Sequence, residues 1–268
     1  MIRLRKTQLI LLTAVVLSAC AVAAYWIVVP PREPVVDGES LSFWLDQYNA
    51  NLTAGGGMRV KAEEAVRQIG TNAIPHLLIM LRVRDAGLKR KLLELLHKQS
   101  LIRISYQPAW VQNIEAAQGF EILGTNARHA VPALVDIFER APSPSSRQFA
   151  AEALGGIGPA ASPAIPSLIR GATNSDASVR GWAMLALGSI HLDPQTVVSA
   201  LTKCLNDPVV FNRVAAAQAL GLYGPDAKPA IPALKQLLGP TEHNHVRREA
   251  AWALKQIDPE RGTEDAHE

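Results

Sequence analysis

Arginine recurs at Arg147, Arg180, Arg213 and Arg247, at spacings of 33, 33 and 34 residues, and Arg59 heads a fifth segment with the same internal pattern. A guanidinium is a permanent charge with a fork of N–H donors, suited to carboxylates and carbonyls rather than to proton transfer. Other chemistry-bearing residues are sparse. His243 and His245 lie two apart, but two ligands fall short of a zinc site. His129 and His191 fall in turns, and Cys204 stands alone on a helical stretch, as a small core residue does. Gly155-Gly156-Ile157-Gly158 lacks the Lys-Ser/Thr that follows in a phosphate loop. His267-Glu268, at the chain end, is the one His-Glu pair in the sequence. No catalytic, cofactor-binding or metal-ligating residue is assigned, and no cofactor is expected. Arg59, Arg147, Arg180, Arg213 and Arg247 read as a structural ladder that takes carbonyl or acidic neighbours, Asp176 and Glu242 among them. The alternative is a row of charges awaiting an acidic partner.

The elements that must position this row follow from the residues after each arginine. Alanine comes three residues later (Ala62, Ala150, Ala183, Ala216, Ala250) and again six later (Ala65, Ala153, Ala186, Ala219, Ala253). Val66, Leu154, Leu187, Leu220 and Leu254 come seven later; Ile69, Ile157, Ile190, Tyr223 and Ile257 come ten later. Offsets of 3, 6–7 and 10 trace one face of a helix, and small residues on it let neighbouring helices approach. Gly70, Gly158 and Gly224 then supply left-handed helix ends; His191 and Asp258 stand at the same place, so those two ends must close differently. A second helix starts at Ala73-Ile74-Pro75, Ala130-Val131-Pro132, Ala164-Ile165-Pro166 and Ala230-Ile231-Pro232, with proline where its missing N–H has no partner to lose. The fourth unit has Val197-Val198-Ser199 instead. Leu77, Leu134, Leu168, Leu201 and Leu234 recur inside these second helices.

The Val-Arg-x-x-Ala-x-x-Ala-Leu segments, as at 179–187 and 246–254, resemble HEAT repeats, closest to the short type of phycobilisome lyases. The resemblance covers about residues 58–258 and implies an all-α superhelical solenoid of about five helix pairs, with the Pro-started helices lining its inner surface. Deoxyhypusine hydroxylases also carry HEAT-like repeats, and their iron ligands come as His-Glu pairs within them; His267-Glu268 lies in the tail instead. The layout as a whole resembles membrane-anchored envelope proteins of bacteria.

Before the repeats, residues 9–29 form an uncharged run of 21 residues, about 31 Å as a helix and long enough to cross a bilayer. Arg3, Arg5 and Lys6 precede it, with Tyr25 and Trp26 near its far end, which keeps the N-terminus cytoplasmic and the repeats extracytoplasmic (periplasmic). Residues 1–29 are therefore expected to be a transmembrane anchor. Two other readings stay open: Leu17-Ser-Ala-Cys20 resembles a lipoprotein box that would lipidate Cys20, and the segment also fits a cleaved signal. Residues 30–39 read as an extended linker. Residues 40–57 read as a capping helix, started by Ser40 or Ser42 and rich in aromatics, with a Gly-rich joint. About 20 residues in excess of the period between Gly70 and Gly124 mark an insertion at about 82–112, and 259–268 is a disordered tail.

The chain has 27 Lys+Arg against 24 Asp+Glu and two cysteines, which excludes a nucleic-acid footprint and a disulfide scaffold. The expected function is a non-enzymatic scaffold that is anchored to a membrane and binds a protein or peptide on the concave face, helped by the insertion. The alternatives are a lyase-like or metal-hydroxylase-like enzyme or chaperone-like modifier on the same array, and a purely structural envelope protein.

Overall fold

Each amphipathic helix in a repeat leaves its alanine face uncovered until a neighbour stacks on it, and stacking is what the computed structural model contains. It describes residues 33–50, 56–84 and 108–259. The transmembrane and lipidation expectations (residues 9–29, Cys20), most of the insertion and the tail lie outside these residues. Among the described residues, no helix is long and apolar enough to cross a membrane.

The chain enters through a two-residue-strand hairpin, β1 (Val35–Val36) and β2 (Glu39–Ser40), antiparallel with Val35 opposite Ser40. Asp37 and Gly38 both have positive φ, as a tight two-residue hairpin turn requires. This part of the expected extended linker is therefore folded. Helix α1 (Leu41–Ala50) follows; the Ser40 hydroxyl accepts from the Phe43 N–H at 3.2 Å, satisfying one free donor of its first turn. Leu41, Trp44, Leu45 and Tyr48 are buried, and the Trp44 indole donates to the Val36 carbonyl at 3.1 Å. The aromatic residues of α1 thus cover the first repeat and pin the hairpin to it.

The first helices of the repeats are α2 (Gly57–Ile69), α4 (Ala109–Leu123), α6 (Pro144–Ile157), α8 (Ala177–Ile190), α10 (Val210–Leu222) and α12 (Asn244–Ile257). The second helices are α3 (Ile74–Arg82), α5 (Val131–Arg140), α7 (Ile165–Gly171), α9 (Pro194–Cys204) and α11 (Ile231–Gln236). The recurring alanines and the second-helix leucines are buried in one continuous core.

Four first helices end on glycines with positive φ: Gly70, Gly124, Gly158 and Gly224. A 3-10 segment then leads to the proline of the second helix, as at Gly124–Ala130 and Gly158–Ala164. Contrary to the expected left-handed helical ends, Gly70, Gly124 and Gly158 combine positive φ with ψ of −133° to −142°, a region reserved for glycine. The glycine-free end of α8 closes differently: His191 itself takes the left-handed helical conformation, and so does Asp193, immediately before Pro194 starts α9. The second helix of that unit therefore starts at Pro194, earlier than its Val197-Val198-Ser199 suggests. Tyr223, in place of isoleucine, donates from its hydroxyl to the carbonyls of Leu187 (3.2 Å) and Leu192 (2.8 Å) and so ties this turn down.

The first helices α4, α6, α8, α10 and α12 pack against one another along their lengths, whereas successive second helices touch at few points. Glycines set the close spacing. A Cβ on Gly156 would lie 2.9 Å from the Cα of Glu121, one on Gly188 2.9 Å from the Cα of Ala219, and one on Gly221 3.1 Å from the Cα of Ala253. An array whose first helices stack more tightly than its second helices bends toward the first-helix layer. The concave face is therefore lined by the first helices, a correction to the expectation that the Pro-started helices line it.

Candidate functional site

The arginine of each first helix reaches its neighbours near the inter-repeat loops. Arg180 donates from Nε and Nη2 to both carboxylate oxygens of Asp207 (2.6 and 3.0 Å) and from Nη1 to the carbonyls of Asn174 and Ser175. Arg213 pairs with Glu242 at 2.7 Å and donates to the carbonyls of Asp207 and Pro208. Arg147 donates to the Phe138 carbonyl at the end of α5 (2.9 Å). Arg59 donates to the Tyr48 hydroxyl, with its guanidinium 4.5 Å from the centre of that ring, and Arg247 donates to Asn244. The contacts of Arg147, Arg180 and Arg213 supply donors to helix-end and loop carbonyls or to an acid across the gap between units, whereas Arg59 holds a phenol and Arg247 an amide of its own helix. Asp176 caps α8 instead, accepting from the Ser178 N–H at 2.9 Å. Burial alone would raise the Asp207 carboxyl, but the Arg180 guanidinium and the Val209 N–H outweigh it and hold it below the usual carboxylate range.

The row contains a member that sequence reading missed. Asn113, eleven residues before Gly124, occupies the arginine position of α4. It is fully buried, donates to the Met80 carbonyl at 2.7 Å and accepts from the Ser145 hydroxyl at 2.8 Å. The distance to the next glycine was the signal; the long gap after Gly70 concealed it.

The remaining candidates do not converge. His243 caps α12, its Nδ1 accepting from the His245 N–H at 3.2 Å. Burial pushes the Cys204 thiol up to about 11, which keeps it protonated and poorly nucleophilic. Gly155 and Gly156 lie inside α6 at helix contacts. Among the described residues, no group of three or more His, Cys, Asp or Glu is placed to hold a metal ion.

Two grooves stand out. On the second-helix side, a groove of about 540 Å³ runs between α9 and the segment before α11, lined by Pro194, Val198, Thr202, Lys203, Asp226 and Pro229. On the concave side, a groove of about 400 Å³ lies between α4, α6 and α8, lined by Glu121, Glu152, Gly155, Gly156, Trp182 and Ser189. Burial, and then the neighbouring Glu121 charge, push the Glu152 carboxyl up to about 7. Beside this groove the Trp182 ring lies 6.1 Å from Phe211, centre to centre.

Helix pairs stacked in a row around one continuous core define an α-solenoid built of repeats. The chain belongs to the HEAT repeat family, which matches residues 131–221 and 211–266. No curated protein matches the chain. Among solved structures it is similar to an engineered protein at 22% identity and a TM-score of 0.41, over 81% of this chain and 96% of that one. The complex of CpcE and CpcF of phycocyanin lyase from Nostoc sp. PCC7120 is similar at 20% identity and a TM-score of 0.43, over 85% of this chain and 81% of that one. Human deoxyhypusine hydroxylase is similar at 19% identity and a TM-score of 0.23, over 75% of this chain and 95% of that one.

Proposed function

We propose that this chain is a non-enzymatic scaffold, held at a membrane through residues 9–29, with its repeats on the extracytoplasmic side, and that it binds a protein or peptide on the concave face of its solenoid. The observation that carries the reading is the first-helix layer. Its helices α4 to α12 stack into a continuous concave surface that leaves Phe211 44% exposed and Trp252 37% exposed, while Arg147, Arg180 and Arg213 are spent on contacts at the inter-repeat loops. Rings presented to solvent on a rigid curved face suit capture of a partner. The tether rests on the uncharged run and on the charge bias of Arg3, Arg5 and Lys6.

The test is photo-crosslinking in the native cell, from a reactive residue at Ser189 on the concave side and, as control, at Gln236 in the second-helix layer. A discrete adduct from Ser189 alone is expected. Adducts from neither site, or equally from both, would overturn the reading. Accessibility of the repeats to protease added outside the cytoplasmic membrane tests the orientation.

A further inference from the structure

We propose that the concave face docks a partner segment that sets a Lys or Arg side chain between Glu121 and Glu152 and lays apolar side chains along Trp182, Leu222 and Trp252. This rests on the scaffold reading above and gives the partner its chemistry.

Glu152 and Gly156 are one turn apart on α6, and the α4 backbone at Glu121 abuts Gly156. The two carboxylates therefore flank one groove, roofed at one side by Trp182. Among the described residues, the Glu121 charge acts on the Arg59 guanidinium of α2, whereas no cation acts on Glu152. Among the described residues, Glu152 makes no hydrogen bond or ion pair, and the one charged side chain that acts on it is Glu121. The helices α4, α6, α8 and α10 contain no lysine, and their only arginines are Arg147, Arg180 and Arg213. Those three are committed to Phe138, Asp207 and Glu242. Holding a carboxylate half-buried beside a like charge is costly, and a cation placed between the pair reverses that cost. An indole beside the same point adds an electron-rich face for it.

The rest of the surface fixes the remainder of the occupant. A Leu222 methyl lies across Gly188 and the Trp252 ring across Gly221, within 3.2 and 2.3 Å of where a Cβ would be. Each glycine thus lets an apolar group of the following helix fill the space above it. With Trp182 against Phe211, these groups form an apolar stripe from α8 to α12, and Leu222 is 41% exposed. Carboxylates at one end and an apolar stripe beyond them complement a segment with basic residues at one end and apolar residues along it.

The experiment uses the full chain in neutral detergent, immobilised, with two short synthetic peptides as probes: one of lysine and leucine, and its glutamate-for-lysine counterpart. The lysine peptide is expected to bind the wild type. Binding should weaken about tenfold or more in the Glu121→Gln/Glu152→Gln double variant, an amount that corresponds to about 1.4 kcal/mol. Trp182→Ala should also weaken it. Asp136→Asn, which removes a carboxylate from α5 in the other layer, should leave it unchanged, and the glutamate peptide should bind at least tenfold more weakly. The double variant removes a like-charge pair, so its thermal midpoint should not fall below that of the wild type, and lost binding then reports the site. Equal binding of the lysine peptide to wild type and double variant overturns the proposal. So does equal binding of the two peptides, or a change in self-association when the two glutamates are replaced. An adduct from Ser189 in cells that forms equally well in the double variant also overturns it but leaves the scaffold reading intact; absence of any adduct overturns the scaffold reading itself.

Discussion

Two ion pairs of similar length differ in their surroundings. The Arg180 and Asp207 side chains, paired at 2.6 Å, are 14% and 6% exposed; those of Arg140 and Asp136, paired at 2.8 Å, are 78% and 47% exposed. Removing one partner of a buried pair strands the other, whereas an exposed pair contributes little. Arg180→Ala is expected to cost about 2–3 kcal/mol and Arg140→Ala less than about 0.5 kcal/mol, read as shifts in urea unfolding midpoints. Arg180→Lys should recover only part of the loss, because an ammonium cannot grip both Asp207 oxygens in the same fork. The Glu152 carboxyl runs in the opposite direction. Its acid strength is lowered by folding, from an ordinary 4.5 to about 7. The folded chain therefore holds this proton more tightly than the unfolded one. The penalty is absent below pH 4.5, grows between 4.5 and 7, and is constant above 7. Glu152→Gln should accordingly raise stability by about 1 kcal/mol at pH 8, after allowance for solvent screening, and by nothing measurable at pH 4.5. Thermal melts at the two pH values check this, and an equal gain at both would contradict it. The arginine row was legible because each member sits at a fixed offset in a repeating unit. The Glu121–Glu152 pair was not: the two residues belong to different repeats and different offsets, eight after Asn113 and five after Arg147, and only stacking brings them to one groove. Asn113 escaped for a related reason, since it has the position of the arginines without their residue type.

At the scale of elements, glycines inside helices separate the demands of a helix from those of a stack. Replacing glycine by alanine in a helix interior favours the helix by about 1 kcal/mol. At Gly188 the new methyl would meet the backbone of α10 at 2.9 Å, and a backbone cannot rotate away as a flexible side chain can. Gly188→Ala is therefore expected to be destabilising by about 1–3 kcal/mol. Gly57→Ala, at the start of α2 with nothing within 4 Å of the new methyl, should be neutral or slightly stabilising. Paired denaturant titrations give the comparison; a stable Gly188→Ala would mean that the layer can spread without cost. The helices themselves were readable from the 3, 6–7 and 10 offsets, because the same residues that favour a helix also form its buried face. What escaped was local chain geometry between helices. The Asp37-Gly38 turn that folds residues 35–40 into a hairpin was hidden within a Pro-rich stretch. Positive φ at His191 and Asp193 was only faintly signalled, since His and Asp adopt it more readily than other residues with a Cβ but still rarely. The direction of bend was misjudged because it depends on relative spacing in two layers, which no single repeat records.

For the molecule as a whole, stability follows from neighbours rather than from one closed core. Each repeat contacts the units before and after it, and an end unit lacks one of them. At the start, that lack is met by α1, which packs on α2 and reaches α4; at the other end, α12 packs on α10 and α11. Hydrogen exchange should therefore be slowest in α6, α8 and α10, flanked on both sides along the layer, and faster in α11 and α12. Deleting residues 33–50 would strip α1 from α2, on which it packs, and exchange should rise in α2 and α3 by orders of magnitude. The coupling that transmits this loss passes from helix to helix, so it should fade along the array and leave α10 nearly as protected as before. Exchange that rises equally in α2 and α10 would instead mark a single cooperative unit, in which capping one end governs the whole. The distinction bears on binding. In a chain coupled only to nearest neighbours, a partner seated across α4 to α12 ties the units together, and its largest gain in protection should appear in α12, which among the described residues packs on α10 and α11 alone of the α-helices.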